Sequence, residues 1–125
     1  MAKKKKGKKA TEPEVDIKQM FKNVKVLVQT GRSKEAIAYI YLIYTAVVRQ
    51  KFDKPRLAFQ TIRQYAITCV NELGQKPESV YPLVSAVENI IYGGKEPTAK
   101  EINQTIQLFS VIYKEITGKT FSFSV

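Results

Sequence analysis

The longest uncharged stretch of the chain, residues 36–48, predicts a helix that is buried on most sides. Its thirteen residues would rise about 20 Å, well short of the ~30 Å hydrocarbon core of a bilayer, so a membrane span is not expected. Ile, Val and Tyr also favour strands, but residues 33–52 contain neither Gly nor Pro, and that length favours a helix. We expect this helix, capped at Ser33, to be the central element of a bundle.

Four further segments repeat apolar residues at intervals of three and four, the pattern of an amphipathic helix. They are residues 13–30, 56–73, 77–92 and 97–117. A glycine follows each of them, at Gly31, Gly74, Gly93 and Gly118. Thr11 with Glu14, and Thr98 with Glu101, have the spacing of capping boxes at helix starts. In the third helix the predicted apolar stripe includes Phe59.

Five amphipathic segments joined by short loops predict an all-α protein, a single antiparallel bundle of about five helices. Residues 1–11 are expected to be a disordered lysine-rich tail, residues 12–118 the bundle, and residues 119–125 a short extended segment. This last segment, KTFSFSV, alternates polar and apolar residues as a strand does. We therefore expect Phe121 and Phe123 either to pack on the bundle or to dock on a protein partner.

The distribution of charge adds the strongest functional signal. The 125 residues carry a net charge of +10, and six lysines but no acid lie within the first ten residues: Lys3, Lys4, Lys5, Lys6, Lys8 and Lys9. The other fifteen basic residues face eleven acidic ones, a net charge of only +4. Such a tail can neutralise several phosphates of DNA or RNA without sequence preference. An anionic membrane surface and a merely solubilising tail are the alternatives.

A second group of basic residues surrounds the predicted linker between the central and third helices. Its members are Arg49, Lys51, Lys54, Arg56 and Arg63, and only Asp53 opposes them within the linker. These side chains could extend the phosphate-binding surface, or they could be an ordinary solvated helix end. Because no motif for reading bases accompanies them, binding without sequence specificity is expected.

Little in the sequence points to catalysis. The chain has no histidine, which removes the commonest general base and metal ligand, and its only cysteine, Cys69, lies on an apolar stripe. We therefore expect no enzyme, metal site, cofactor or small-molecule substrate. One cysteine and no secretory signal favour a cytoplasmic protein. Tyr39, Tyr41 and Tyr44 could stack on bases, but more commonly such rings are buried at a bundle edge.

The order of several short motifs resembles a helical domain of unknown function found at the C-terminal end of many transglutaminase-like membrane proteins. The similar parts, within residues 15–117, are Gly31-Arg32, Glu35-Ala36-Ile37, Tyr41, the run from Thr61 to Ala66, and Ile91-Tyr92-Gly93-Gly94. This chain departs from that family in its lysine tail and in lacking a transglutaminase core. The resemblance implies a helical fold, no enzymatic role and a docking or adaptor role.

Together these patterns predict a non-enzymatic accessory subunit of a nucleoprotein complex, such as a polymerase or a ribosome. The lysine tail would bind phosphate backbone, DNA or RNA, and the bundle would dock on a protein partner. The alternative is a protein–protein interaction adaptor with no nucleic-acid role.

Overall fold

The computed structural model describes residues 15–125, and this part of the chain forms five α-helices. They are α1 (Ile17–Gln29), α2 (Ser33–Phe52), α3 (Ile62–Leu73), α4 (Pro77–Ile91) and α5 (Ala99–Thr117). No residue between 15 and 125 belongs to a strand. The prediction of an all-helical protein with five helices is therefore confirmed over the described residues.

Helix α2 is the centre of this helical bundle, as the uncharged residues 36–48 within it predict. It packs against α1, α4 and α5, while α3 packs against α4. Its buried residues are Ala36, Ile37, Ile40, Tyr41, Ile43, Tyr44, Val47 and Val48. Within residues 15–125, no helix combines the length and the apolar character that crossing a membrane requires.

The first two helices begin at other residues than the sequence pattern predicts. Helix α1 begins at Ile17, not near residue 13, because the Asp16 carboxylate accepts the Gln19 N–H at 3.1 Å and caps the helix. The predicted Thr11–Glu14 capping box lies outside the described residues. Ser33 is not the cap of α2: it is the first residue of the helix, and the cap residue, Arg32, makes no capping hydrogen bond through its side chain.

Capping boxes define the starts of α3 and α5. Thr98 and Glu101 form the predicted box, because the Thr98 hydroxyl accepts the Glu101 N–H while the Glu101 carboxylate accepts the Thr98 N–H. Thr61 and Gln64 form an equivalent box in front of α3. The predicted start of the third helix at residue 56 is therefore wrong, since α3 begins only at Ile62.

The chain after α5 returns across the bundle without regular secondary structure. Gly118 reverses its direction with φ of +77°, a conformation that glycine adopts without a side-chain clash. The Phe121 and Phe123 rings then lie 4.9 and 5.4 Å from the Phe21 ring of α1, measured between centroids. The Val125 N–H donates to Asn103 Oδ1 of α5 at 2.8 Å. Of the two alternatives for the phenylalanines, the structure has them packed on the bundle.

Candidate nucleic-acid interface

The lysine-rich part of the sequence joins the described structure beside the end of α2. The six tail lysines lie outside the described residues. At the first described residue, the Val15 N–H donates to Gln50 Oε1 at 2.7 Å. Gln50 lies in the last turn of α2 between Arg49 and Lys51, which are both exposed. The chain therefore enters the bundle next to two residues of the predicted basic group.

Acidic side chains of the bundle offset two members of that group. Lys54 pairs with Glu72 of α3 at 3.1 Å, with 43% and 59% of the two side chains exposed. Exposed ion pairs contribute about 0–1 kcal/mol, so a phosphate could replace Glu72 at little cost. Arg63 is held more firmly: it donates to Glu88 at 2.7 Å and to Ser85 at 3.1 Å.

The Arg63 guanidinium also lies 5.4 Å from the centre of the Tyr81 ring, within the range of a cation–π contact. The hydrogen bond that Arg63 donates to the Glu88 carboxylate raises the pKa of Arg63 further above its already high ordinary value. The contacts of Arg63 therefore hold α3 against α4. Phosphate binding by Arg63 stays a prediction.

Arg56 organises the linker between α2 and α3. Its Nη1 donates to the Leu57 carbonyl at 3.1 Å and to the Gln60 carbonyl at 2.7 Å, and the Gln60 side chain accepts the Leu57 N–H at 2.9 Å. At one end of the linker, the Tyr65 hydroxyl donates to the Lys54 carbonyl. Side chains rather than regular secondary structure therefore hold this turn. Because both acceptors of Arg56 are neutral carbonyls, its positive charge is not cancelled.

The same turn exposes an aromatic ring that the sequence pattern assigns to the core. Phe59 is 78% exposed, and neighbouring Leu57 is 47% exposed. The prediction that Phe59 belongs to the apolar stripe of the third helix is wrong, because the Thr61 capping box starts α3 after it. An exposed aromatic ring beside basic side chains can stack on an unpaired base. This is the functional candidate that the sequence pattern does not show.

Two of the three tyrosines of α2, Tyr41 and Tyr44, are in contrast buried and not available for stacking. Tyr44 is fully buried and Tyr41 is 6% exposed, while the Tyr39 hydroxyl accepts a hydrogen bond from Asn23. Burial raises the pKa of the Tyr41 and Tyr44 hydroxyls well above the ordinary value of 10.0. These rings build the core, as is common for tyrosine in a bundle.

Cys69 is also a core residue. It lies fully buried on α3, and burial is the main reason that its pKa is raised. A raised pKa keeps the sulfur in the unreactive thiol form. Within residues 15–125, no three cysteine or acidic side chains come close enough together to hold a metal ion.

Phe121 and Phe123, which the sequence pattern offers as docking residues, have their rings turned to the bundle. Besides Phe21, the Phe121 ring contacts Phe109 and Tyr113 of α5, with centroids 6.2 and 6.1 Å apart. Docking through these rings stays a prediction, and it would require them to leave these contacts.

The fold and these surfaces define a helical bundle with a basic linker at the end of its central helix. No protein-family model, no curated protein and no solved structure matches the chain. The resemblance to the helical domain of transglutaminase-like membrane proteins therefore stays a hypothesis, and the function is inferred from the residues alone.

Proposed function

We propose that this protein is a non-enzymatic, nucleic-acid-associated accessory subunit of a nucleoprotein complex of the polymerase or ribosome type. In this proposal residues 1–11 are a disordered tail that binds phosphate backbone without sequence specificity. The helices form an antiparallel bundle that docks on a protein partner in the cytoplasm. The observation that carries the proposal is the presence of six lysines and no acid in the first ten residues.

The position of the tail's attachment supports the proposal. The Val15 N–H donates a hydrogen bond to the side chain of Gln50 in the last turn of α2. The exposed Arg49 and Lys51 flank Gln50 in sequence. A nucleic acid held by the tail would therefore come near this end of α2, where further phosphates could be bound. Because counterions are released from each neutralised phosphate, the two basic regions would together give strong, salt-sensitive binding.

Phe59 gives this interface a means to favour unpaired nucleotides. Stacking of a base on an aromatic side chain contributes about 1–3 kcal/mol and works for every base. The hydrogen bonds of Arg56 and Gln60 hold the turn, so the ring is presented at little cost in entropy. The proposal therefore includes moderately tighter binding to single strands and RNA loops than to duplex DNA.

The test is equilibrium binding to duplex DNA, single-stranded DNA and a structured RNA at about 0.1 M salt. The wild-type chain is compared with a full-length variant whose six tail lysines are replaced by glutamine, and with Phe59→Ala. We expect the tail variant to lose most affinity for all three ligands. Phe59→Ala should lose at least fivefold for single-stranded DNA, lose affinity for the unpaired loops of the structured RNA, and leave binding to duplex DNA unchanged. Unchanged binding by the tail variant would refute the proposal.

The second candidate is an adaptor that binds protein and no nucleic acid. The observation in its favour is the C-terminal segment, whose Thr120, Ser122 and Ser124 are exposed along the surface of the bundle. An adaptor of this kind would keep its protein partner after nuclease digestion and in high salt. Loss of the partner under both treatments would count against it.

A further inference from the structure

We propose that residues 120–124 are an open strand edge that binds an acidic, extended peptide of a partner protein beside Lys18 and Lys22. The inference deepens the proposed function, on whose docking role it rests, by naming the surface and the chemistry of the partner.

The C-terminal segment can span the distance between its two anchor points on α5 only if it is extended. The Lys119 N–H donates to Thr117 Oγ1 at 3.1 Å, and the Val125 N–H donates to Asn103 Oδ1 at 2.8 Å. Along α5, the distance from Thr117 to Asn103 is about 21 Å at 1.5 Å per residue. The chain from Lys119 to Val125 covers about 20 Å only at the rise of a β-strand, about 3.4 Å per residue. The segment therefore runs back along α5 as an extended chain.

Because side chains and main-chain groups alternate in direction along an extended chain, each group of the segment can be assigned to one side. Phe121 and Phe123 point to the core, and Thr120, Ser122 and Ser124 are exposed. In an extended chain, the N–H and C=O of one residue point to one edge and those of the next residue to the other. Since the Val125 N–H points to α5, the main-chain groups of Thr120, Ser122 and Ser124 face the α1 edge.

That edge has no hydrogen-bonding partner in the part of the chain that the structure describes. Residues 120–124 make no hydrogen bond with any part of the chain from 15 to 125. A row of unpaired main-chain groups on an ordered strand is a template for a further strand. The anchors at Thr117 and Asn103 and the two partly buried phenylalanine rings hold this template in place, so binding would cost little ordering of the segment.

The charge next to the edge identifies the partner. Lys18 and Lys22 of α1 line the groove beside Thr120 and Ser122. Both lysines are exposed, and neither forms an ion pair with a residue in the described part of the chain. At a spacing of four helical residues they lie about 6 Å apart, close to the ~6.8 Å between alternate residues of a strand. A peptide with acidic residues at every second position fits both the edge and the lysines.

A second copy of this chain fits less well. Pairing two such edges would bring the Lys18 and Lys22 side chains of both copies together, and like charges in close contact are unfavourable. The exposed side chains of the segment itself are Thr and Ser, which offer no negative charge. The acidic peptide is therefore the occupant to which the inference commits.

The probe is a seven-residue peptide of alternating Glu and Val, added to the isotope-labelled full-length chain at about 0.15 M salt. We expect slower amide exchange at Ser122 and Ser124 and little change at Phe121 and Phe123, because their N–H groups face α5. A peptide of the same charge with alternate amides N-methylated should bind at least tenfold more weakly. Equal affinity of the methylated peptide, or amide changes confined to residues 1–14, would overturn the inference.

Two charge-reversal variants complete the test. Lys18→Glu with Lys22→Glu should weaken peptide binding at least tenfold, whereas Lys76→Glu with Lys100→Glu, at other exposed positions, should change it less than threefold. Equal losses in the two variants, or self-association through this edge, would contradict the inference. If the peptide does not bind while DNA binding still depends on the tail, only the inference fails. If the tail variant keeps its affinity for DNA, the proposed function fails whatever the peptide does.

Discussion

Replacing Tyr41 by phenylalanine should stabilise the protein, whereas the same replacement at Tyr44 should destabilise it. Both rings are buried on α2, and the substitution removes one oxygen atom in each case. The Tyr44 hydroxyl donates to Gln75 Oε1 at 2.8 Å. The Tyr41 hydroxyl has no hydrogen-bond partner in the described part of the chain. The main difference between the two variants is therefore whether a hydrogen bond is lost.

The magnitudes follow from the cost of burying a polar group without a partner, about 1–3 kcal/mol. Tyr41→Phe removes such a group, so we expect the free energy of unfolding to rise by about 1 kcal/mol. Tyr44→Phe leaves Gln75 Oε1 unpaired beside Gln75 Nε2, which already lacks a partner, so we expect a fall of about 1–3 kcal/mol. Tyr65→Phe loses the bond to the Lys54 carbonyl and should cost about 1 kcal/mol.

Urea unfolding of the three variants, followed by circular dichroism at 222 nm, measures these differences. In a chain of this size, about 1 kcal/mol corresponds to a change in Tm of roughly 4 °C. The expected order of stability is Tyr41→Phe, wild type, Tyr65→Phe, Tyr44→Phe. A loss of stability in Tyr41→Phe equal to that in Tyr44→Phe would refute the reasoning, because it would mean that the Tyr41 hydroxyl has a bonding partner.

Three further changes test other parts of the fold. Gly93→Ala should destabilise the protein by about 1–3 kcal/mol, because a Cβ there would lie 2.5 Å from the Asn89 carbonyl oxygen. Gly94→Ala, with open space around the new Cβ, should change stability by less than about 0.5 kcal/mol. Urea unfolding compares the two variants. Thr98→Ala removes the cap of α5 and should cost about 1 kcal/mol in the same assay. Alkaline pH should unfold the protein, because burial raises the pKa of Cys69 and of the three buried tyrosines. Their neutral forms stabilise the fold fully below about pH 9, and each group then removes up to about 1.4 kcal/mol per pH unit as the unfolded chain ionises. The share of the tyrosinate absorbance at 295 nm that belongs to Tyr41, Tyr44 and Tyr65 should therefore appear only together with the loss of helix, and ionisation of all seven tyrosines with the helix intact would contradict this.

The helices were predictable because their signals are local. Apolar spacing marks each helix, and Gly31, Gly74 and Gly118 adopt the left-handed conformations that end α1, α3 and α5. The start of α3 was also predictable from a local signal, the Thr61–Gln64 capping box. That signal was overlooked because Phe59 lies three residues before Ile62. An aromatic residue at this spacing in the turn extends the apolar pattern of the helix that follows.

The candidate interface was less predictable, because it depends on residues distant in sequence. The sequence does not show which of the five basic residues around the linker have an acidic partner. The packing of α3 places Glu72 beside Lys54, and the packing of α4 places Glu88 beside Arg63. The use of Arg56 within its own turn has no sequence signature either. The exposure of Phe59 can be predicted only when the start of α3 at Ile62 is known.

The most direct test of the proposed function is the salt dependence of binding to duplex DNA. For the wild-type chain we predict a steep linear decrease of log K with log salt concentration, and the six tail lysines contribute up to about −5 to its slope if all of them contact phosphates. Replacing those lysines by glutamine in the full-length chain should reduce the slope to about −1 to −2, from the basic residues near the end of α2. A slope unchanged by the replacement would contradict the account, because the folded surface alone would then hold the nucleic acid.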